Sequence, residues 1–157
     1  MPRRSGASQQ HSVLQDVDLA KSILTVEKLS LAIVKENKTI FTSKESGVKG
    51  LVDAISKQGS SLHGAAVADR VLGKAAALLC VYAKLSAVHA FVMSRLGEEV
   101  LKRHSIPFQH DTLVPNILNQ HGTDMCPFER IVLETDSPKG AFLMISHRLA
   151  TGVSREA

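Results

Sequence analysis

An α/β protein with a mixed five-stranded sheet between layers of helices is what this chain predicts, and three observations carry that reading. Strand-like and helix-like periodicities alternate along the chain. One helical segment, Leu72 to Ala83, is apolar nearly all round, which requires burial on every side. The interior is aliphatic: 44% of the 157 residues are hydrophobic, 4% are aromatic and none is Trp. That composition suits helices packed on a sheet better than an all-β sandwich. The length and the single continuous pattern predict one domain over residues 14–150, preceded by a disordered tail over residues 1–13.

Each element has a local reason. Ser12 with Gln15 reads as a capping box opening the first helix, and Val17, Ala20, Ile23 and Leu24 form its buried stripe. Leu29 to Lys35 is a strand apolar on both faces. Glu36-Asn37-Lys38 turns it into a second strand, Thr39 to Ser43, so the pair should be an antiparallel hairpin. Ser46 can cap the next helix, whose Val48, Leu51, Val52 and Ile55 lie at i, i+3, i+4 and i+7, and Gly59 stops it. A third strand over Gly64 to Asp69 leads into the apolar helix, where Ala75, Ala76 and Ala77 permit close packing.

Ala87 to Met93 is the fourth strand. Ser94 caps a helix with Glu98 and Glu99 in its first turns, which suits the helix dipole. Ile106 to His110 is a short fifth strand. Helices separate strands three, four and five, so these three should run parallel with right-handed crossovers. Asp111 to Asp124 is a loop with a helical turn near Val114 to Leu118. Cys126-Pro127 opens another helix with Pro in its first position, and Ser137-Pro138 opens the last, which carries Phe142, Ile145 and Leu149.

Composition narrows the function classes. The net charge of +4 is modest and lies largely at the ends, at Arg3, Arg4, Arg148 and Arg155, with no aromatic-rich basic stripe. A nucleic-acid footprint is therefore not indicated. The apolar run Ala75 to Ala83 is too short to span a membrane. Cys80 and Cys126 are the only cysteines, and with no signal peptide they point to a reducing, cytoplasmic setting. Residues 1–11 lack acidic residues, so a transit-like leader stands beside the plain tail as a reading.

The stretch from His63 to Ser94 is the most informative for chemistry. Asp69 falls at the expected end of strand three, and Gly73-Lys74 opens the helix behind it. In open α/β sheets ligands bind beyond the carboxyl ends of strands, at helix N-termini.

The order of elements, together with VADRVLGKAAALL (67–79), the hairpin region LAIVKENKTIFTSKESGVKGL (31–51) and DMCPFE (124–129), resembles the cytidine-deaminase-like fold. The likeness covers residues 14 to 148 and is nearest a small branch of unknown function. A working deaminase of this fold needs His/Cys-Ala-Glu after the hairpin and Pro-Cys-x-x-Cys after the third strand. Those residues hold Zn²⁺ and shuttle protons. Laid on this chain, the motifs fall near Gly47-Val48-Lys49 and near Leu72-Gly73-Lys74-Ala75-Ala76. Val and Ala cannot bind zinc, a Lys ammonium repels it, and the Glu is missing. The resemblance therefore implies the scaffold, no metal, no cofactor and no standard deamination. It also implies a homo-oligomer, because deaminases of this fold commonly assemble.

Each candidate residue has a plain structural reading beside the functional one. Lys74 and the N–H groups near Gly73 can bind a phosphate or carboxylate while Asp69 binds a hydroxyl or amine; equally, Asp69 can cap the helix and Lys74 reach solvent. Cys126 at a helix N-terminus can be a reactive thiol or pocket wall, with Glu129 beside it. The plain alternative is a cap with a capping-box Glu. Cys80, inside an apolar helix, reads as a small buried hydrophobe. None of the seven histidines has a zincin-like partner; His89 reads as packed in its strand, and His110 and His121 as surface residues near strand ends. A zinc set of His110, His121 and Cys126 remains open on ligand type.

The reading that results is a deaminase-fold protein without zinc-dependent activity. It binds a small anionic or nucleotide-like ligand through Asp69, Gly73, Lys74, Cys126 and Glu129. A divergent enzyme acting on a nucleoside or related amine, or a structural module with a filled pocket, stand as alternatives.

Overall fold

A computed structural model describes residues 5–152, with side chains described from residue 13. Of the tail expected over residues 1–13 only the Val13 side chain is described, and the Ser12 cap lies outside the described side chains. The helical backbone of α1 spans Ser5–Val26. Val17, Ala20 and Leu24 are buried against the sheet, as their spacing predicts.

The hairpin forms between β1 (Leu31–Lys35) and β2 (Lys38–Ser43), antiparallel, with Lys35 opposite Lys38. The turn is tighter than expected, with only Glu36 (φ 51°) and Asn37 (φ 66°) between the strands, both left-handed. This is the two-residue geometry that matches strand twist, made here without glycine. Asp16 of α1 holds it: its buried carboxylate accepts from Glu36 N at 2.9 Å and Asn37 N at 2.8 Å.

Next, α2 covers Lys49–Gln58 and ends at Gly59 (φ 53°), as expected. It starts later than the Ser46 cap predicts; Val48 occupies the cap position without a side-chain bond. Then follow β3 (Ala66–Leu72), α3 (Lys74–Tyr82), β4 (Ala87–Ser94), α4 (Arg95–Arg103) and β5 (Phe108–Val114). The chain finishes with α5 (Pro127–Ile131) and α6 (Pro138–Ala150). Ser94 and Ser137 cap α4 and α6, accepting from Gly97 N and Gly140 N.

The five-stranded sheet has the order β2-β1-β3-β4-β5. β1 is antiparallel to both neighbours, while β3, β4 and β5 are parallel. Packed on one face is α1, joined by Ala32, Val34, Ala68 and Phe91. The larger core lies on the other face, where residues of α2 to α6 pack around the buried α3.

Further limits differ from expectation, with α3 starting at Lys74 and not Leu72, and β5 at Phe108 and not Ile106. β3 does not stop at Asp69 but pairs with β4 through Leu72 opposite Met93. β5 runs past His110 to Val114, because an edge strand tolerates the polar run His110-Asp111-Thr112, of which Asp111 and Thr112 are exposed. The helical turn near Val114 to Leu118 does not form; Leu118 instead bridges Met125. Among the described residues no helix is long and apolar enough to cross a membrane.

Candidate functional site

Gly73 stands at the cap position of α3 with no side chain to offer its exposed N–H groups. They are bonded from elsewhere. Glu129 of α5 accepts from Lys74 N at 2.8 Å with one carboxylate oxygen and from Ala75 N at 2.9 Å with the other. A carboxylate at a helix N-terminus answers both the orphan donors and the dipole. Glycine is required for this arrangement, since a Cβ at Gly73 would run into the Glu129 carboxylate. Gly97 serves the same junction: a Cβ there would lie 3.0 Å from the Gly73 carbonyl carbon, so only glycine lets α4 approach so closely.

The Lys74 head group is not solvated, contrary to the reading that had it snorkel to water. Lys74 is 7% exposed. Its Nζ donates to the Leu133 carbonyl at 3.0 Å and lies 3.4 Å from Asp136 Oδ1. Arg103 reaches the same Asp136 oxygen at 3.4 Å. The segment between α5 and α6 folds over the start of α3 and covers the lysine. Burial pushes the Glu129 carboxyl above its ordinary value, opposed by the N–H bonds from Ala75 and Lys74 and by the Lys74 charge.

Asp69 lies inside β3, between Leu31 of β1 and Ala90 of β4. It neither caps α3 nor forms an ion pair with Lys74, because the strand continues beyond it. Burial pushes its carboxyl up to about 7, against the pull of the Val71 and Arg70 backbone N–H groups. Its charge, after burial itself, also raises the Cys80 thiol. Cys80 is free and buried, as a small hydrophobe should be.

Cys126 takes the cap position of α5 ahead of Pro127, but its thiol makes no capping bond. Its carbonyl accepts from Glu129 N and Arg130 N, both at 3.0 Å. The capping-box reading of Glu129 is corrected, for its side chain turns away from its own cap toward α3. Of the five candidates, then, Gly73, Lys74 and Glu129 meet directly, Cys126 starts the helix that carries Glu129, and Asp69 stands apart in the sheet. Sequence reasoning missed the Leu133 carbonyl, Asp136, Arg103 and Gly97. Only Gly97, a glycine in the first turn of a helix, left a signal in the sequence.

Among the described residues no three His, Cys, Asp or Glu side chains gather as a metal set. His110 faces Glu98 at 3.3 Å and stacks near Phe108, so the His110, His121 and Cys126 alternative is not assembled. His89 is buried, as read from its strand position, with Nε2 3.5 Å from Asp111 Oδ1.

These features define an α/β domain whose central helix is capped by a carboxylate from another helix. The family model for DUF1893, a domain of unknown function, matches residues 19–149, and the chain belongs to that family. A DUF1893 family protein of known crystal structure from Thermotoga maritima is 31% identical, with a TM-score of 0.79 over 85% of this chain and 90% of that one. RibD from Acinetobacter baumannii gives 20% identity and a TM-score of 0.43 over 66% of this chain and 35% of that one. No curated protein matches the chain.

Proposed function

We propose that this DUF1893 protein keeps a deaminase-like scaffold without the zinc chemistry, and that it works by binding through its surface rather than by turnover. The observation that supports this most is the Glu129 carboxylate on the Lys74 and Ala75 N–H groups. An external anion at that helix start would have to displace a carboxylate already bonded there. The buried Lys74 ammonium is engaged as well, by Leu133 and Asp136. The site is thus closed from within, in keeping with the filled-pocket alternative read from the sequence.

A second reading retains a small anionic or nucleotide-like ligand at Asp69, Gly73, Lys74, Cys126 and Glu129. What favours it is the placement of the plug. Glu129 rides on the five-residue α5, just after an irregular segment, so it can leave at lower cost than a side chain on the sheet. A cytoplasmic setting and self-association belong to the proposal too.

Metal analysis, native mass spectrometry and ammonia release from cytidine and deoxycytidylate, on one purified sample, test it. The expected result is no stoichiometric zinc, no retained small molecule and no ammonia above background. About one zinc per chain, or turnover, contradicts the proposal. A co-purified phosphate or nucleotide shifts the assignment to the second reading.

A further inference from the structure

On its face of the sheet α1 lies over β1, β3 and β4 and leaves β5 largely uncovered. A groove of about 330 Å³ runs along that flank. Leu14 and Val17 of the helix, with Pro107 and Phe108 across from them, make it an apolar slot, and Asp18 and Gln109 bring polar groups into it. A second groove of about 370 Å³ continues along the helix from Asp18 to Lys21. Asp18 lines both, so the order along the helix is apolar slot, acid, base. Asp18 and Lys21 are three residues apart, near enough on a helix to pair with each other. Among the described residues neither stands in an ion pair.

His89 lies at the same furrow. It is opposite Gln109 in the pairing of β4 with β5, and two residues beyond Ala87, which also lines the groove. Ala87 and Phe91 both pack on the α1 side, and strand alternation puts His89 there with them. The ring is 2% exposed, yet neither of its nitrogens makes a hydrogen bond. A buried imidazole left so is costly and uncommon. Burial, and after it the Lys21 charge, lower its affinity for a proton, against the pull of Asp111 and Gln109. The neutral ring thus holds one donor and one acceptor in reserve. Asp111, whose Oδ1 is 3.5 Å from Nε2, and Gln109 are exposed side chains on an edge strand, and such side chains turn aside readily.

We propose that this furrow binds a free amino acid with an apolar side chain. Asp18 takes the ammonium, Lys21 takes the carboxylate, and the slot of Leu14, Val17, Pro107 and Phe108 takes the side chain. His89 completes the polar end with a hydrogen bond to the ligand. A ligand with a single charge leaves either Asp18 or Lys21 unanswered, and a purely apolar one leaves the ring unpaired. The inference rests on the reading that the protein works by binding at its surface, and it names that surface. None of its residues belongs to the closure by Glu129 and Lys74.

Calorimetric titration of the full chain with L-leucine tests it. Leucinamide, which lacks the carboxylate, and N-acetyl-leucine, which lacks the ammonium, serve as the paired probes. Leucine is expected to bind, and each analogue to bind about tenfold more weakly or worse, as for the loss of one charge-assisted hydrogen bond. Lys21→Met should weaken leucine by about tenfold and leave leucinamide unchanged. Asp18→Asn should weaken leucine similarly and leave N-acetyl-leucine unchanged. His89→Phe should weaken leucine as well, with circular dichroism to confirm the fold of every variant. Structural damage would weaken all three probes alike, so the matched pairs of variant and analogue isolate direct contact. If His89→Phe does not fold, the two surface variants decide. Absence of leucine binding at millimolar concentration, analogues that bind as well as leucine, or variants that bind leucine as wild type does overturns the proposal. Such a failure removes this site alone, because the reading it rests on is decided by the zinc and ammonia measurements.

Discussion

Glu129 and Lys74 hold each other's elements in place. The Glu129 carboxylate bonds the backbone N–H of Lys74, 55 residues earlier in the chain, and the Lys74 ammonium returns to the Leu133 carbonyl just beyond α5. The start of α3 and the α5–α6 segment are therefore clamped reciprocally, by charge-assisted bonds in a buried setting where such bonds are strong.

Gly73→Ala should break the clamp by steric conflict. The new methyl meets the Glu129 carboxylate, which must shift and release two helix N–H groups. The expected cost is about 1–3 kcal/mol, as for an overpacked core site. Thermal denaturation of Gly73→Ala, Glu129→Ala and the double variant checks the cause. If the conflict is with Glu129, the double variant loses less than the sum of the two single changes. Strict additivity would place the conflict elsewhere.

Lys74→Ala should destabilise the free protein. The ammonium is buried and bonded, so its loss leaves the Leu133 carbonyl short of a donor. A hydrogen bond of a charged group contributes about 1.5–3 kcal/mol, and a melting curve measures it. Lys74→Met keeps the stem and removes the charge, so it separates packing from the bond. Arg103→Ala should cost well under 1 kcal/mol, since that side chain meets only the exposed side of Asp136. A Lys74→Ala protein as stable as wild type would return the lysine to solvent.

Asp69→Asn should change how stability varies with pH. The folded carboxyl titrates near 7 against an ordinary 3.8, because burial disfavours its charge. Between those values the folded state holds a proton that the unfolded state has released. Stability from this group is therefore full below the ordinary value, falls as pH rises by at most about 1.4 kcal/mol per unit, and levels off above about 7. Asn carries no such dependence. Urea unfolding from about pH 4 to pH 8 should show the variant gaining on wild type as pH rises, by up to a few kcal/mol. Parallel curves would mean that the carboxyl is solvated.

The elements with strong local causes were legible in the sequence. The all-round apolar pattern of α3, the Ser94 and Ser137 caps and the hairpin after Lys35, though not the exact length of its turn, each follow from a few residues. The end of β3 was not, because Asp69 reads as a polar break in an apolar run when it is in fact a carboxyl buried mid-strand. The limits of β5 were hidden by its edge position, where polar residues carry no penalty. Gly73 and Lys74 could be singled out from the strand–glycine–helix order. Glu129 was visible only as a local cap, since spacing within a helix says nothing of a bond to a distant one. That long-range pairing decides whether the helix start is open or closed.

The closure itself is tested most directly by titrating inorganic phosphate into wild type and Glu129→Ala while following the melting temperature. Removing the carboxylate leaves two buried N–H groups unpaired, at a cost of about 1–3 kcal/mol, so the variant should melt lower without added anion. Phosphate should then raise the melting temperature of Glu129→Ala, by filling the vacated helix start, and leave wild type nearly unchanged. If phosphate stabilises wild type as much as the variant, the helix start is open to ligands and Glu129 does not close it.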